Sequence, residues 1–465
     1  MASQIRLSHT GEDTSIRVTW RTLSESCRSI VRYQRVVLSA SQKRTTELKA
    51  EDGRLGYSLS CIVFSCVANA DSSLFQLHQG CSTSRKSEGT YYMHSAVLRK
   101  LVPGRRKYWY RIESEEFQSK KIVFHSPRYS SPSSTLKFLV FGDMGAPSAR
   151  KCPGARGTIL ALGKDTHETD IIFHVGDISY ADGKTLVWND FMDAIESFAC
   201  SVPYMIGIGN HDYDWVPDID ANVDDRQKVL KDASGLTNPF LPEWGNFGSD
   251  SNGECGYPTF NRFLMPNDNS GSGKPPFWYG FHSGPVHFVI ISAEHDLREG
   301  SPQRIWLENE LSTIDRCIHP WLIVMMHRPL YVAYPHKSNR KVGRHLANIL
   351  EDLLLENEVD ILISGHIHSY YRSCISVRHG KCVKSGGISH FTIGSGGKKI
   401  SHVEELGDQP EWLAESKMKH GYGRVLVNGN QNLTFEFIGT KDGGMEVLDT
   451  ITIPAAQMES SCKGK

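Results

Sequence analysis

No apolar run in the sequence approaches the roughly 18 residues that a membrane-spanning helix needs. The richest apolar patches, residues 321–326 and 61–70, are short. A surplus of one charge is also missing: Lys+Arg and Asp+Glu are both 52, a formal net charge of zero. Without a global basic field to gather DNA or RNA, no nucleic-acid partner is expected, and any phosphate recognition has to be local. The eleven cysteines are scattered, odd in number and contain no CxxC pair. That makes zinc-finger readings poor and fits a few structural disulfides plus free thiols. Cys374 and Cys382 flank the segment CISVRHGKC, a short strand–turn–strand that a disulfide would clip. The opening residues MASQIRLSHTGEDTS hold neither a basic n-region nor an apolar h-region, so no signal peptide is read there. Because a strand pattern begins almost at once, residues upstream of this chain are expected.

What the sequence does have is enough length and apolar content for two or three packed domains: 465 residues, 39% hydrophobic and 22% charged. In SIRVTWRT, Ile16, Val18 and Trp20 alternate with polar residues, as in a half-buried strand. The segment LVPGRRKYWYRIES repeats the pattern at Tyr108, Tyr110 and Ile112 after a Pro-Gly turn. Residues 1–126 therefore read as an all-β domain like a fibronectin type III sandwich. Within them, residues 55–79 are Ser- and Cys-rich without a period and read as a long loop. Residues 127–135, rich in Ser and Pro, read as a linker.

From there to residue 387 the pattern changes. Apolar runs recur, each ending in a polar cluster: LKFLVFGDMG, DIIFHVGDISY, VPYMIGIGNHD, VHFVIISAEHD, WLIVMMHRP and VDILISGHIH. Runs without alternation suit strands buried on both faces, and helix-like stretches at residues 304–316 and 345–356 lie between them. The expected fold class is α/β, with polar residues gathered at the carboxyl ends of strands. The remainder, residues 388–455, returns to β, with Asn428-Gly429 between alternating runs as a hairpin signal. Asn432-Leu433-Thr434 is a glycosylation sequon, so a secreted form would be a glycoprotein.

Taken in order, the strand ends present Asp143, Asp177 with Tyr180, Asn210, His327, and His366 with His368. Each alone reads as a turn or a structural histidine, but together seven oxygen and nitrogen donors would reach the edge of one sheet from five loops. Two cations about 3.5–4 Å apart need such a set, with one carboxylate able to bridge. Carboxylate, amide and imidazole without thiolate suit hard or borderline metals. The hard, anionic phenolate oxygen of Tyr180 adds a preference for trivalent iron.

The elements GDMG, GDISY, GNHD, VMMH and GHIH resemble, in order, the five motifs of the purple acid phosphatases within the calcineurin-like metallophosphoesterases. Asp143-Met144-Gly145, where related protein phosphatases carry Asp-x-His, and the added Tyr180 mark the iron-containing branch. The resemblance implies a layered metallophosphoesterase β-sandwich flanked by helices, preceded by the fibronectin-like domain and followed by a small β region. It implies Fe(III) held by Asp143, Tyr180 and His368, a divalent Zn, Mn or Fe held by Asn210, His327 and His366, and Asp177 bridging. His211 is then a phosphate-binding histidine that helps protonate the leaving group. His336 stands where many plant members carry paired histidines, here followed by Lys337. Asp212 replaces a usual glutamate.

The implied activity is that of an acid phosphatase, attacking phosphate monoesters with a metal-activated hydroxide and no covalent phosphoenzyme. A nucleotide pyrophosphatase or phosphodiesterase on the same scaffold is the alternative enzyme, since GDISYADG, NGECG and AEHDLREGS resemble a branch where that activity occurs. A catalytically inactive binding protein is the alternative of another class. The resemblance further implies small phosphate esters or nucleotides as substrates, a secreted or vacuolar location, and compatibility with a homodimer.

Overall fold

The structure, a computed structural model, describes residues 2–23, 30–36, 66–69, 71–75, 91–213, 250–252, 254, 256–266, 273–334, 337–401 and 409–455. Among the described residues, eight strands form the N-terminal β domain: β1 (Ser3–His9), β2 (Ile16–Thr22), β3 (Ile30–Arg35), β4 (Cys66–Asn69), β5 (Asp71–Phe75), β6 (Tyr91–Leu98), β7 (Lys107–Glu113) and β8 (Ile122–His125). They make two four-stranded sheets, ordered β1-β2-β6-β5 and β4-β3-β7-β8. The alternating residues Ile16, Val18, Trp20, Tyr110 and Ile112 are fully buried in the core between them. Strands β4 and β5 lie where the sequence reads as loop. They are short, and their places come from pairing with β3 and β6, which a segment without a hydrophobic period does not announce.

Beyond residue 134 the strands and helices follow as β9 (Thr135–Phe141), α1 (Ala155–Asp165), β10 (Ile171–Val175), α2 (Thr185–Ala199), β11 (Tyr204–Gly207), α3 (Tyr257–Arg262), β12 (Tyr279–Ser283) and β13 (Val286–Ile290). Next come α4 (Pro302–Ser312), β14 (Trp321–Met325), α5 (Lys337–Glu356), β15 (Ile361–Ser364), β16 (Tyr370–Ser373), β17 (Val377–Arg378), β18 (Lys381–Cys382) and β19 (Ser389–Ile393). The last strands among the described residues are β20 (Leu413–Lys417), β21 (Gly421–Asn428), β22 (Asn432–Gly439) and β23 (Glu446–Pro454).

These strands form not one sheet but two, a six-stranded β11-β10-β9-β21-β22-β23 and a seven-stranded β12-β13-β14-β15-β19-β16-β20. Apolar runs buried on both faces look alike whether they share a sheet or face each other, so the sequence pattern does not separate the two arrangements. Phe138 and Phe173 of the first sheet meet Phe288 of the second at ring-centre distances of 5.4 and 4.7 Å, which places the core between the sheets. Strands β9–β10–β11 run parallel, as do β13–β14–β15–β19, so their carboxyl ends point the same way within each sheet. Asn428 pairs with Asn432 across the expected hairpin, and Cys374 and Cys382 are joined in a disulfide. The N-terminal domain rests on α2, where the Gln4 amide donates to Glu196 at 2.8 Å and the Tyr110 hydroxyl to the Cys200 carbonyl at 2.7 Å.

Candidate metal centre

The loops that leave β9, β10 and β15 are bent by residues in the left-handed region. Asp143 (φ 61°), Asp177 (φ 51°), Tyr180 (φ 52°), Asp182 (φ 47°) and His366 (φ 67°) all adopt it. For residues other than glycine this conformation is costly and persists only where surrounding structure holds it, most often at functional sites. Glycines let the loops approach. A Cβ on Gly209 would lie 2.3 Å from Asp177 Oδ1, and one on Gly365 would lie 2.6 Å from Asp143 Oδ2.

The result is two clusters that share one carboxylate. Asp143, Asp177 and His368 offer ligand atoms within 4.8 Å of one another, and so do Asp177, His327 and His366. The Tyr180 hydroxyl joins the first, 3.0 Å from Asp143 Oδ1, 2.9 Å from Asp177 Oδ2 and 3.2 Å from His368 Nε2. Asn210 joins the second, its Oδ1 3.0 Å from His366 Nδ1. The first sheet carries Asp143, Asp177, Tyr180 and Asn210, and the second carries His327, His366 and His368, so the donors converge across the sandwich. The seven donors and His211 singled out from the sequence come together; His336 lies outside the described residues.

The donors suit cations. His327 is buried, and its Nδ1 donates to the Val175 carbonyl at 2.9 Å. Its Nε2 faces Asp177 Oδ1 at 3.3 Å without a hydrogen-bond partner, an orphaned buried nitrogen aimed into a carboxylate cluster. Burial works against charge on His327, yet Asp177 and Asp143 overrule it and raise the imidazole to about 10. Burial, then Asp143 and Asp177, push the Tyr180 phenol well above its ordinary range, so only a strongly charged cation among these oxygens would draw out a phenolate.

Supporting groups surround the donors. Burial opposes a proton on His211, but the charge of Asp177 and a 2.9 Å hydrogen bond from Nδ1 to Asp182 raise it to about 9. Its amide donates to Asp177 Oδ1 at 2.9 Å, and its ring lies 4.5 Å from that of Tyr180. Asp212 accepts from the amides of Ile178 (3.0 Å) and Gly209 (3.0 Å), tying two metal loops together. Burial and then Asp177 raise its carboxyl to about 7. Arg328 lies 2.6 and 3.1 Å from the two carboxylate oxygens of Glu294, and its Nη1 is 3.3 Å from His366 Nε2, where Asn339 Oδ1 also lies at 3.3 Å. Sequence reasoning does not find roles for Asp182, Glu294, Arg328 and Asn339. Asp182 stands two residues after Tyr180 in GDISYADG and Glu294 follows an apolar run, but Asn339 has no sequence signal.

The family profile for calcineurin-like phosphoesterases matches residues 136–370. Those for the purple acid phosphatase N-terminal domain and for an iron/zinc purple acid phosphatase-like protein C match residues 2–126 and 387–450. The chain is 31% identical over 391 residues to "Probable inactive purple acid phosphatase 27" of Arabidopsis thaliana, covering 78% of this chain and 58% of that protein. It is 30% identical to "Nucleotide pyrophosphatase/phosphodiesterase" of Hordeum vulgare, covering 72% of this chain and 87% of that one. Among solved structures, a purple acid phosphatase from yellow lupin (Lupinus luteus) seeds superposes with a TM-score of 0.77 at 26% identity, covering 97% of this chain and 74% of that one. The chain spans 56–58% of the length of four Arabidopsis relatives that it matches. With 87% of the barley protein matched at 30% identity, and residues 136–370, half of this chain, matched by the calcineurin-like profile, the chain belongs to the purple acid phosphatase family of calcineurin-like phosphoesterases.

Proposed function

We propose that the chain is an acid phosphatase that hydrolyses phosphate monoesters at a dinuclear Fe(III)–M(II) centre. The carrying observation is the pair of donor clusters that share Asp177. Asp143, Tyr180 and His368 would hold Fe(III), and Asn210, His327 and His366 would hold Zn, Mn or Fe(II), with Asp177 between them. The iron/zinc name of the family profile over residues 387–450 supports that pairing of metals. When bound, two such cations acidify a water and neutralise charge on the phosphoryl oxygens.

The chain's own residues do the rest. Asp182 holds His211 by Nδ1, which leaves Nε2 free to deliver a proton to the departing oxygen. Asp212 keeps the loops of Asp177 and Asn210 in register through the Ile178 and Gly209 amides. Relatives named as probable inactive make an inactive binding protein the competing reading. Against it stands a set of seven donors with every position filled.

Nucleotide pyrophosphatase or phosphodiesterase activity is the second reading, supported by the barley relative's name and by Lys337, a flexible point charge at the start of α5 that suits an additional phosphate. The Cys374–Cys382 disulfide supports an oxidising compartment, secreted or vacuolar. Among the described residues no helix is long and apolar enough to cross a membrane.

Turnover of p-nitrophenyl phosphate, bis(p-nitrophenyl) phosphate and ATP at acidic pH by the wild type and Asp177→Ala tests these readings. Monoester turnover that falls with metal content in the variant supports the phosphatase. Turnover confined to the diester and ATP favours the second reading, and no turnover by a fully metallated wild type refutes both.

A further inference from the structure

Lys398 belongs to GSGGKK, the loop that follows β19, and nothing in the reaction described above uses it. The loop is pressed against the metal-bearing strands. A Cβ on Gly396 would lie 2.4 Å from the Gly142 carbonyl oxygen, so no side chain other than hydrogen fits there. The Lys398 amide donates to the Asp143 carbonyl at 2.8 Å, and the Lys398 carbonyl accepts from His420 Nε2 at 3.0 Å. The backbone is thus held on both sides. From it the side chain, 9% exposed, lays its ammonium 3.4 Å from the centre of the Tyr180 ring. Long lysine side chains ordinarily carry their charge into water. Here the charge is turned inward onto an aromatic face, in the geometry of a cation–π contact, which strengthens as water is excluded.

We infer that Lys398 is a positioning residue that sets the electronic state of Tyr180, with its ammonium over the ring stabilising the phenolate that binds Fe(III). This rests on the reading of Tyr180 as an iron ligand. A positive charge on the ring lies nearer to the electron-donating orbital than to a metal bound beyond the phenolate oxygen. It therefore lowers the donor level more than the acceptor level. The phenolate-to-iron charge-transfer band is thereby held at shorter wavelength than an uncovered phenolate would give, and the ring is fixed against rotation. Removing the charge should move the band to longer wavelength. Lys399, the next residue, is exposed and serves as a control.

The test is the visible spectrum, with iron content, of the full chain as wild type, Lys398→Met, Lys398→Gln, Lys398→Arg and Lys399→Met. Both uncharged variants at position 398 should show the band displaced to longer wavelength. Lys398→Arg should stay near the wild-type position, and Lys399→Met should not differ from wild type. Loss of iron from both uncharged variants but not from Lys398→Arg would also support the assignment, since charge alone separates them. Loss of iron from all three, or iron-loaded uncharged variants with the band at the wild-type wavelength, overturns it even if KM or thermal stability changes. An iron-loaded wild type without any band overturns the Tyr180 reading itself, an outcome distinct from failure of the Lys398 assignment alone.

Discussion

Asn339→Leu should weaken the hold on the divalent cation while leaving the iron half of the centre intact. A cation between Asn210 Oδ1 and His366 Nδ1, now 3.0 Å apart, requires Nδ1 to present a lone pair, which puts the ring proton on Nε2. Two groups meet Nε2 at 3.3 Å, the Arg328 guanidinium and Asn339 Oδ1. A guanidinium cannot accept a hydrogen bond, so the carbonyl of Asn339 is the acceptor that fixes this tautomer and the ring's orientation. Leucine, although larger, branches at Cγ as asparagine does, keeps α5 helical and offers no acceptor. Losing such an outer hydrogen bond typically lowers metal affinity 10–100-fold, about 1.4–2.8 kcal/mol. Competition against a graded chelator, with both metals quantified, reads the effect. Asn339→Asp, which restores an acceptor, should recover most of the affinity. Divalent affinity in Asn339→Leu equal to wild type would refute the reasoning, as would equal loss of both metals.

His211→Ala should lower kcat by about 10²–10⁴ on an alkyl phosphate, and by less on p-nitrophenyl phosphate, whose leaving group hardly needs a proton; equal losses would remove its acid role. Tyr180→Phe should abolish the visible band while nearly preserving shape, and an unbleached variant would exclude the phenolate as a ligand. Gly209→Ala would place a methyl 2.3 Å from Asp177 Oδ1 and 2.7 Å from His327 Cδ2. Overpacking of this kind costs about 1–3 kcal/mol, so both the unfolding midpoint and the metal content should fall, and a variant unchanged in both would contradict the packing described. Burial holds the His390 imidazole down to about 3. Because the unfolded chain takes up that proton first, this contribution is intact above pH 6.5 and is lost progressively as pH falls toward 3. Between pH 6.5 and 5 it amounts to about 2 kcal/mol. Urea midpoints of His390→Leu should therefore fall less steeply than wild type over that interval, and parallel slopes would refute the assignment.

The strand-end donors are legible in the sequence because each follows an apolar run, and the buried strand pattern alone puts Asp143, Asp177, Asn210, His327 and His366 at carboxyl ends. The pattern of apolar runs does not separate these strands into two sheets; only the family resemblance implies the sandwich. Phe138 and Phe288 belong to similar apolar runs, and only the 5.4 Å contact between their rings shows that they face each other. Strands β4 and β5 are invisible for a related reason, since their partners β3 and β6, rather than their own composition, place them. Residues that act through others escape as well. Asn339 and Lys398 lie in a helix start and a glycine-rich loop, where asparagine and lysine are ordinary, and only their distances to His366 and Tyr180 give them roles.

The dinuclear centre is tested most directly by the metal-to-chain ratio of the protein as purified, with each metal identified. Two donor clusters joined by Asp177 predict a ratio near two, with at least one metal being iron and the other divalent. A protein that retains both clusters yet takes up a single cation, or two cations with no iron, would contradict the account.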